Sequence, residues 1–316
     1  MQDFAVIGAM PRERVHSPAM RIGYPCTNRT LGCRGGRALR LASFSLERLD
    51  EVVSGNLRCL ETMLHFNVEH GIRFFRISSD LIPFASHSEI EPPWRHLYAR
   101  AIAELGPLIQ QEGIRIDMHP AQYTVLNSPD EKVLKNTMRD LVYHVGVLDE
   151  MGLDRTAKVQ IHLGGVYGDR EASLARFIAR AKLLPETIRR RLVIENDERS
   201  FGLADCLRAA DGAHLPVLLD VYHHRLKNAG ESLEDTLAAA AETWSAADGV
   251  PIVDYSSPLP GGRFGQHAET LDDDDFGAFL AASREVDVDV MLEIKDKELS
   301  ALRAVELARG DPRLIA

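Results

Sequence analysis

Histidines and carboxylates stand at or just after the ends of most strand-like runs in this sequence. They are His87, His119, His162, Glu195, Asp220, His223, Asp254, His267 and Glu293. Imidazole and carboxylate, without a cysteine thiolate, are ligands that suit Zn²⁺, Mn²⁺ or Fe²⁺. Burying so many titratable groups without a partner would be costly, so a shared cation is the simplest compensation. The pattern predicts a site for more than one metal ion.

The elements that must position these groups are eight short apolar runs separated by longer amphipathic segments. The strand-like runs cover residues 21–26, 74–79, 114–119, 158–163, 191–196, 216–223, 251–257 and 289–295. The helix-like segments cover residues 46–70, 94–112, 130–152, 171–184, 202–212, 233–247, 272–283 and 297–309. Eight strand–helix units predict one α/β domain, a (β/α)8 TIM barrel. An open doubly wound sheet is the alternative, but it would spread the polar residues along an edge, whereas a barrel gathers them at its C-terminal mouth.

The composition of the chain excludes some classes of protein. It has 316 residues, of which 45% are hydrophobic and 27% charged, and no apolar run is long enough to span a membrane. The net charge of −10 argues against a generic nucleic-acid binder, but not against one with a local basic surface or metals in its site. We expect residues 1–19 to be a disordered N-terminal extension and residues 20–316 to form the barrel domain.

The four cysteines are Cys26, Cys33, Cys59 and Cys206, and no two of them form a CxxC pair. In a chain of this size they are expected to be reduced thiols rather than disulfides. This interpretation fits a cytoplasmic protein.

A glutamine and a tyrosine stand together just past the third strand-like run. Residues 116–126 read IDMHPAQYTVL, so Gln122 and Tyr123 fall in the loop that follows the strand. An amide and an aromatic ring in a loop at the mouth are either packed on the barrel or free to contact a ligand.

Seven motifs occur in order along the chain: RIGYPCTNRTLG, FFRISSDLIPFASH, DMHPAQYTVLNSP, IHLGGVYGDR, IENDER, LLDVYHH and MLEIKDKE. Together they resemble the UV damage endonucleases of the UvsE/UVDE type, which are related to endonuclease IV. The resemblance covers about residues 20–297. It implies a xylose-isomerase-like barrel that cuts damaged duplex DNA immediately 5′ to cyclobutane pyrimidine dimers and 6-4 photoproducts, leaving a 3′-hydroxyl.

The resemblance also implies roles for particular residues. Divalent metal, usually Mn²⁺, would be held at one position by His87, His119 and Glu195. A second position would use Asp220, His267 and Glu293, again with Glu195. His223 would belong to a third position, and His162 would lie close to the phosphate that is cut. Gln122 and Tyr123 match a pair that enters the helix at the lesion, and Tyr24 and Asn28 match residues that line the pocket for the extruded bases. Damaged double-stranded DNA is the implied partner, and the family acts as a monomer.

The seventh strand departs from the family pattern. Ile252 and Asp254 stand where the family commonly carries a lysine and, two residues on, a histidine. Isoleucine cannot be carboxylated, whereas aspartate can still bind Mn²⁺ as a harder ligand. We therefore predict a weaker or absent third metal, so that two or three ions remain open.

Three alternative functions use the same residues. An endonuclease IV-type enzyme for abasic sites would share the barrel and the metals, but the HPAQY and YPCTN motifs favour photoproducts. A metal-dependent sugar isomerase would need a small enclosed pocket rather than an open groove. A damage-binding protein that no longer cuts would not be expected to keep Glu195, Asp220, His267 and Glu293 together.

Overall fold

The computed structural model describes residues 19–259 and 261–316. Eight strands alternate with helices. The strands are β1 (Ile22–Pro25), β2 (Phe74–Ile77), β3 (Arg115–Met118), β4 (Lys158–His162), β5 (Leu192–Glu195), β6 (Val217–Asp220), β7 (Ile252–Tyr255) and β8 (Asp289–Leu292). The helices are α1 (Leu46–Glu69), α2 (Trp94–Ala103), α3 (Gly106–Gln111), α4 (Glu131–Glu150), α5 (Arg170–Leu183), α6 (Glu186–Arg189), α7 (Leu203–Ala213), α8 (Val221–Leu226), α9 (Leu233–Ala241), α10 (Asp273–Ala282) and α11 (Glu298–Leu307). The predicted N-terminal extension, apart from Ala19, lies outside the described residues.

The strands form one closed parallel barrel in sequence order, and β1 pairs with β8 to close it. The predicted (β/α)8 TIM barrel is therefore confirmed, and the open doubly wound sheet is excluded. Each strand is almost entirely buried and reads as a short apolar run, as expected where helices cover the outside of a parallel barrel. The carboxyl ends of all eight strands face the same mouth.

Several boundaries differ from those that periodicity predicts, and two of the differences have a clear physical cause. The segment 94–112 contains two helices, because Gly106 and Pro107 begin a new helix, and proline is favoured at a first turn. The sixth strand ends at Asp220 rather than continuing to residue 223. The Asp220 carboxylate caps α8 by accepting the backbone N–H of His223 at 2.7 Å, so His223 and His224 lie on a helix and not on an extended strand.

The barrel interior contains an apolar layer formed by Phe74, Val193, Leu218, Ile252 and Met291, which is separate from the main core around the barrel. Side chains two residues apart on a strand point to the same side. The residues two positions after the members of this apolar layer are Arg76, Glu195, Asp220, Asp254 and Glu293. A charged layer thus lies directly above an apolar one, on the side of the mouth.

A disulfide joins Cys33, in the loop after β1, to Cys59 on α1, with a Cα–Cα distance of 5.8 Å. The expectation that all four cysteines are reduced thiols is therefore wrong for this pair, while Cys26 and Cys206 are free. Sequence spacing alone missed the bond because the loop folds back over α1 and brings together residues 26 positions apart.

Across residues 19–259 and 261–316, none of the helices combines the length and the apolar character that crossing a membrane requires.

Candidate metal centre

Three overlapping groups of potential metal ligands lie at the mouth of the barrel. The ligand atoms within each group lie within 4.8 Å of one another. The groups are His119, His162 and Glu195; Glu195, Asp220 and His223; and Asp220, Asp254 and Glu293. Glu195 and Asp220 each belong to two groups, so the three form one continuous centre.

The first group lies between β3, β4 and β5. The parallel register places His162 opposite Glu195 on the neighbouring strand. His119 Nε2 lies 3.1 Å and His162 Nε2 lies 3.6 Å from the same carboxylate oxygen, Glu195 Oε2. Burial would raise the pKa of Glu195, but the nearby imidazoles of His162 and His119 outweigh burial and hold that pKa well below its usual value. Glu195 is therefore an ionised, buried carboxylate.

The second group lies where β6 turns into α8. His223 Nδ1 is 3.3 Å from Asp220 and 3.6 Å from Glu195, and its Nε2 is 3.6 Å from Glu198. Burial raises the pKa of Asp220 to about 8, and the charges of Glu195 and Glu293 add to this effect. Burial lowers the pKa of His223, but the carboxylates of Asp220, Glu195 and Glu198 outweigh it and raise that pKa to about 9. Crowded carboxylates of this kind are stabilised by a cation.

Two carboxylates of the third group, those of Asp254 and Glu293, already pair with the positively charged side chain of Arg76. The Arg76 guanidinium donates to Asp254 Oδ1 at 2.8 Å, to Asp117 Oδ2 at 2.8 Å and to Glu293 Oε1 at 2.5 Å. The other oxygen of Asp254 accepts a 2.8 Å bond from Gln160 Nε2. Both oxygens of Asp254 are thus engaged, so this aspartate is less available as a ligand than Glu195. Ile252, two residues earlier, belongs to the apolar layer and offers no donor atom.

The residues present fit divalent metal. His119 and His162 direct Nε2 at the ionised Glu195 carboxylate, so imidazole and carboxylate donors converge there. The buried Nδ1 atoms of His119, His162 and His267 have no hydrogen-bond partner among the described residues. His267 Nε2 lies 4.0 Å from Glu293 Oε2, which brings it to the edge of the centre. Nitrogen and oxygen donors without sulfur suit Mn²⁺, Zn²⁺ or Fe²⁺.

Two predicted ligands, His267 and His87, lie outside the three groups, and His87 is the more distant in its contacts. It follows β2 in a loop, and its Nδ1 accepts the backbone N–H of Glu89 at 3.2 Å. It lines a neighbouring cavity together with Tyr123 and Asp140. An imidazole after a strand end reaches the mouth only if its loop turns inward, so the role of His87 as a ligand stays a prediction.

Tyr24 and Asn28, which are predicted to line the pocket for the extruded bases, are both buried in this structure. Tyr24 Oη donates to Asn67 Oδ1 at 2.9 Å and accepts from Asn28 Nδ2 at 3.1 Å. Asn28 Oδ1 accepts the backbone N–H groups of Thr30 and Leu31. The pair thus fixes the loop after β1, and its role towards an extruded base stays a prediction.

Gln122 and Tyr123 are exposed, as an interaction with a ligand requires, and the Tyr123 side chain is 69% exposed. The turn that carries them is anchored below the surface, where the buried Thr124 donates through Oγ1 to Asp140 at 2.5 Å. Gln122 lines the same cavity as His119, His162 and Glu293. A rigid base therefore presents an amide and an aromatic ring beside the metal centre.

Sequence reasoning missed three residues of the site. Arg76 and Gln160 lie inside the barrel and connect the ligands to each other through hydrogen bonds. A polar residue within an otherwise apolar strand is the sequence feature that could have identified them. Lys297 follows β8 with a left-handed φ of 59° and lines the cavity at the mouth. A left-handed φ at a residue other than glycine is a strained conformation, and such strain is common at functional sites. Burial also lowers the pKa of the Lys297 ammonium group.

Comparisons with known proteins agree with this geometry. The family model described as UV-endonuclease UvdE matches residues 20–311. The UV DNA damage endonuclease of Clostridium perfringens (strain 13 / Type A) is 35% identical over 288 residues, covering 90% of this chain and 70% of that protein. The UV DNA damage endonuclease of Bacillus cereus (strain Q1) is 32% identical over 296 residues, covering 90% of this chain and 93% of the relative.

Solved structures give the same result. The crystal structure of SacUVDE matches with a TM-score of 0.87 and 43% identity, over 92% of this chain and 98% of that one. Endonuclease IV from Thermus thermophilus matches with a TM-score of 0.56 and 16% identity, over 92% of this chain and 97% of that one, which is a likeness of fold alone. The matches to UV damage endonucleases support a nuclease that acts on DNA in the repair of UV damage, and the chain belongs to the UV-endonuclease family.

Proposed function

We propose that this protein is a metal-dependent endonuclease that hydrolyses the phosphodiester immediately 5′ to UV photoproducts in duplex DNA and leaves a 3′-hydroxyl. The lesions are cyclobutane pyrimidine dimers and 6-4 photoproducts. The observation that carries the proposal is the continuous centre of histidines and carboxylates at the mouth, in a chain of the UV-endonuclease family. The endonuclease IV and epimerase structures share the fold at low identity, so they do not favour an abasic-site enzyme or a sugar isomerase.

The metal would be held by the first two groups and by their neighbours at the mouth. The proposed ligands are His119, His162, Glu195, Asp220, His223, His267 and Glu293. Divalent metal, which we propose to be Mn²⁺, supplies hydroxide at neutral pH and positive charge for the phosphate oxygens. A third position that includes Asp254 is expected to be weak, because Arg76 already neutralises that carboxylate.

The residues of the chain have distinct tasks in this proposal. Glu195 belongs to both of the first two groups, and its two oxygens face His119 and His223 respectively. It would therefore set the distance between the metal positions of these groups. His162 lies beside Glu195 with its Nδ1 unpaired, and we place it next to the phosphate that is cut. His223 is proposed to act as a neutral ligand beside Asp220 and Glu195, because an imidazole binds a cation only in its uncharged form.

Gln122 and Tyr123 are proposed to enter the duplex at the lesion. An aromatic ring can replace lost base stacking, and unstacking is easiest where a base step is already damaged. The partner is thus damaged double-stranded DNA. We propose that the protein acts as a monomer, since each ligand group is formed within one chain, and that it works in the cytoplasm, where an enzyme of this family would meet DNA.

The test is nicking of supercoiled plasmid, irradiated or not, with Mn²⁺, with Mg²⁺ or with EDTA. We expect nicks only in irradiated plasmid and only with metal, and mapping of the ends would place each nick 5′ to a dimer. The Glu195→Gln variant should lose the activity, while Arg284→Ala, on the opposite face of the barrel, should retain it. Cutting of abasic DNA alone would support the endonuclease IV-type alternative. Binding of irradiated DNA without any cutting would support the damage-binding alternative.

A further inference from the structure

Four arginines lie close together in the loop between β1 and α1. We call residues 29–40 the arginine loop; it contains Arg29, Arg34, Arg37 and Arg40, and no acidic residue. All four side chains are exposed. In the described part of the chain, no carboxylate lies within ion-pair distance of Arg34, Arg37 or Arg40. In a protein whose net charge is −10, this loop is a concentration of unpaired positive charge.

The arginine loop is held rigidly although its arginines are exposed. The Cys33–Cys59 disulfide ties it to α1. One turn earlier on the same helix, the buried Asn56 side chain bonds both the N–H and the C=O of Arg37, at 2.9 and 3.2 Å. At the start of the loop, the buried Glu298 carboxylate accepts the backbone N–H groups of Arg29 and Thr30. These covalent and buried polar contacts fix the backbone that carries the charges.

Close packing places the arginine loop at the mouth of the barrel. A Cβ added at Gly36 would lie 2.3 Å from Ser78 Oγ, and Ser78 directly follows the carboxyl end of β2. Ala38 and Leu39 line a cavity of about 410 Å³ together with Tyr123. The loop is therefore a neighbour of the Gln122–Tyr123 turn and faces the same side as the metal centre.

We propose that the arginine loop binds phosphates of the DNA duplex beside the lesion through Arg34, Arg37 and Arg40, and that the Cys33–Cys59 disulfide holds these arginines in position. This proposal rests on the proposed function and deepens it by naming the surface that contacts the DNA backbone. Guanidinium groups suit phosphate oxygens because they donate two parallel hydrogen bonds. A fixed backbone reduces the entropy lost when the arginines bind.

The salt dependence of DNA binding tests the phosphate contacts. Each phosphate contact that is lost reduces the slope of log K against log salt concentration by about 0.9. In EDTA, with undamaged duplex oligonucleotide as the probe, the Arg34→Ala/Arg40→Ala variant should show a slope shallower by about 1.8, and adding Arg37→Ala should increase the change to about 2.7. The matched control is Arg284→Ala/Arg309→Ala, which removes two exposed arginines from the amino-terminal face of the barrel and should leave the slope unchanged.

The outcomes separate this proposal from the proposed function. If the wild type nicks irradiated plasmid but the loop variants keep the wild-type slope, the arginine loop does not bind the backbone and the proposal is overturned. If the slope becomes shallower but irradiated plasmid is not cut, the phosphate contacts stand and the endonuclease function fails. Unchanged thermal unfolding of the variants would show that the effect does not come from lost folding.

Reduction tests the role of the disulfide. Dithiothreitol should weaken duplex binding by the wild type roughly tenfold. Without the disulfide, the backbone that carries the three arginines is less fixed, so more entropy is lost when they bind phosphate. It should not affect the Cys33→Ser/Cys59→Ser variant, which should already bind as weakly as the reduced wild type. Equal affinity of the oxidised and reduced wild type would overturn the role assigned to the disulfide.

Discussion

Arg76 offers the sharpest test of how the mouth of the barrel is held together. Its side chain is 3% exposed and contacts three carboxylates, from Asp117, Asp254 and Glu293. Replacing Arg76 with methionine would keep most of the side-chain volume and remove the charge. Three acidic groups and Gln160 would then face one another without their common donor.

The magnitude follows from the contacts. One ion pair at 2.8 Å has a gross Coulomb attraction of roughly 6 kcal/mol at an effective dielectric constant of about 20. Desolvation of the charges offsets most of this attraction, and breaking a buried ion pair typically costs about 3–5 kcal/mol. We expect Arg76→Met to lower the free energy of unfolding by that amount. For a chain of this size, the melting temperature would fall by about 5–8 °C.

The measurement is urea unfolding of metal-free protein in EDTA, followed by tryptophan fluorescence and circular dichroism. Arg100→Met is the matched control, because Arg100 is paired with Glu104 on the surface with its side chain 94% exposed, and its loss should cost less than about 1 kcal/mol. Arg76→Lys should give an intermediate loss, since an ammonium group cannot reproduce the planar fork of donors. A loss for Arg76→Met no larger than that of the control would refute the view that this arginine neutralises the third ligand group.

Three further predictions concern metal binding, lesion binding and the base of the barrel. Glu195→Gln should abolish the gain in melting temperature that Mn²⁺ gives the wild type, and equal gains in the two proteins would contradict its place between two ligand groups. Tyr123→Ala should weaken binding to damaged duplex by about five- to a hundredfold and leave undamaged binding unchanged, whereas Leu183→Ala, an exposed apolar change elsewhere, should alter neither. Although burial opposes it, hydrogen bonds from Lys158 and Ser245 lower the pKa of Asp248 from 3.8 to about 2. Its ionised form therefore stabilises the fold above pH 4, and this contribution is lost as the pH falls from about 4 through 2. The difference in unfolding free energy between the wild type and Asp248→Asn should shrink between pH 6 and pH 3, and a constant difference would contradict this reasoning.

The position of the site could be predicted from the sequence because the strands carry it. Apolar runs that end in His119, His162, Glu195 and Asp220 place those residues at one mouth as soon as the barrel closes. Contacts between distant strands could not be predicted in the same way. The Arg76–Asp254 pair spans 178 positions, and only the closure of the barrel brings its members together.

The conformations of the loops were the second feature that could not be predicted from the sequence. His87 and His267 both follow a strand, but the local turns bring only His267 towards the centre. Tyr24 and Asn28 lie in a motif shared with the family, yet their exposure depends on how the loop after β1 packs against α1 and α11. Their burial could not be read from the residue types.

The apolar layer of Phe74, Val193, Leu218, Ile252 and Met291 separates the mouth from the charged pairs at the base of the barrel, where Lys158 and Arg155 meet Asp248. Changes above the layer therefore leave the contacts among these charged pairs in place. The ligand residues or the Gln122–Tyr123 turn could therefore be replaced with residues of another reactivity, and the barrel would be expected to tolerate the change. The same separation of the two ends by packing would let natural variation alter the ligand residues while the contacts at the base are kept.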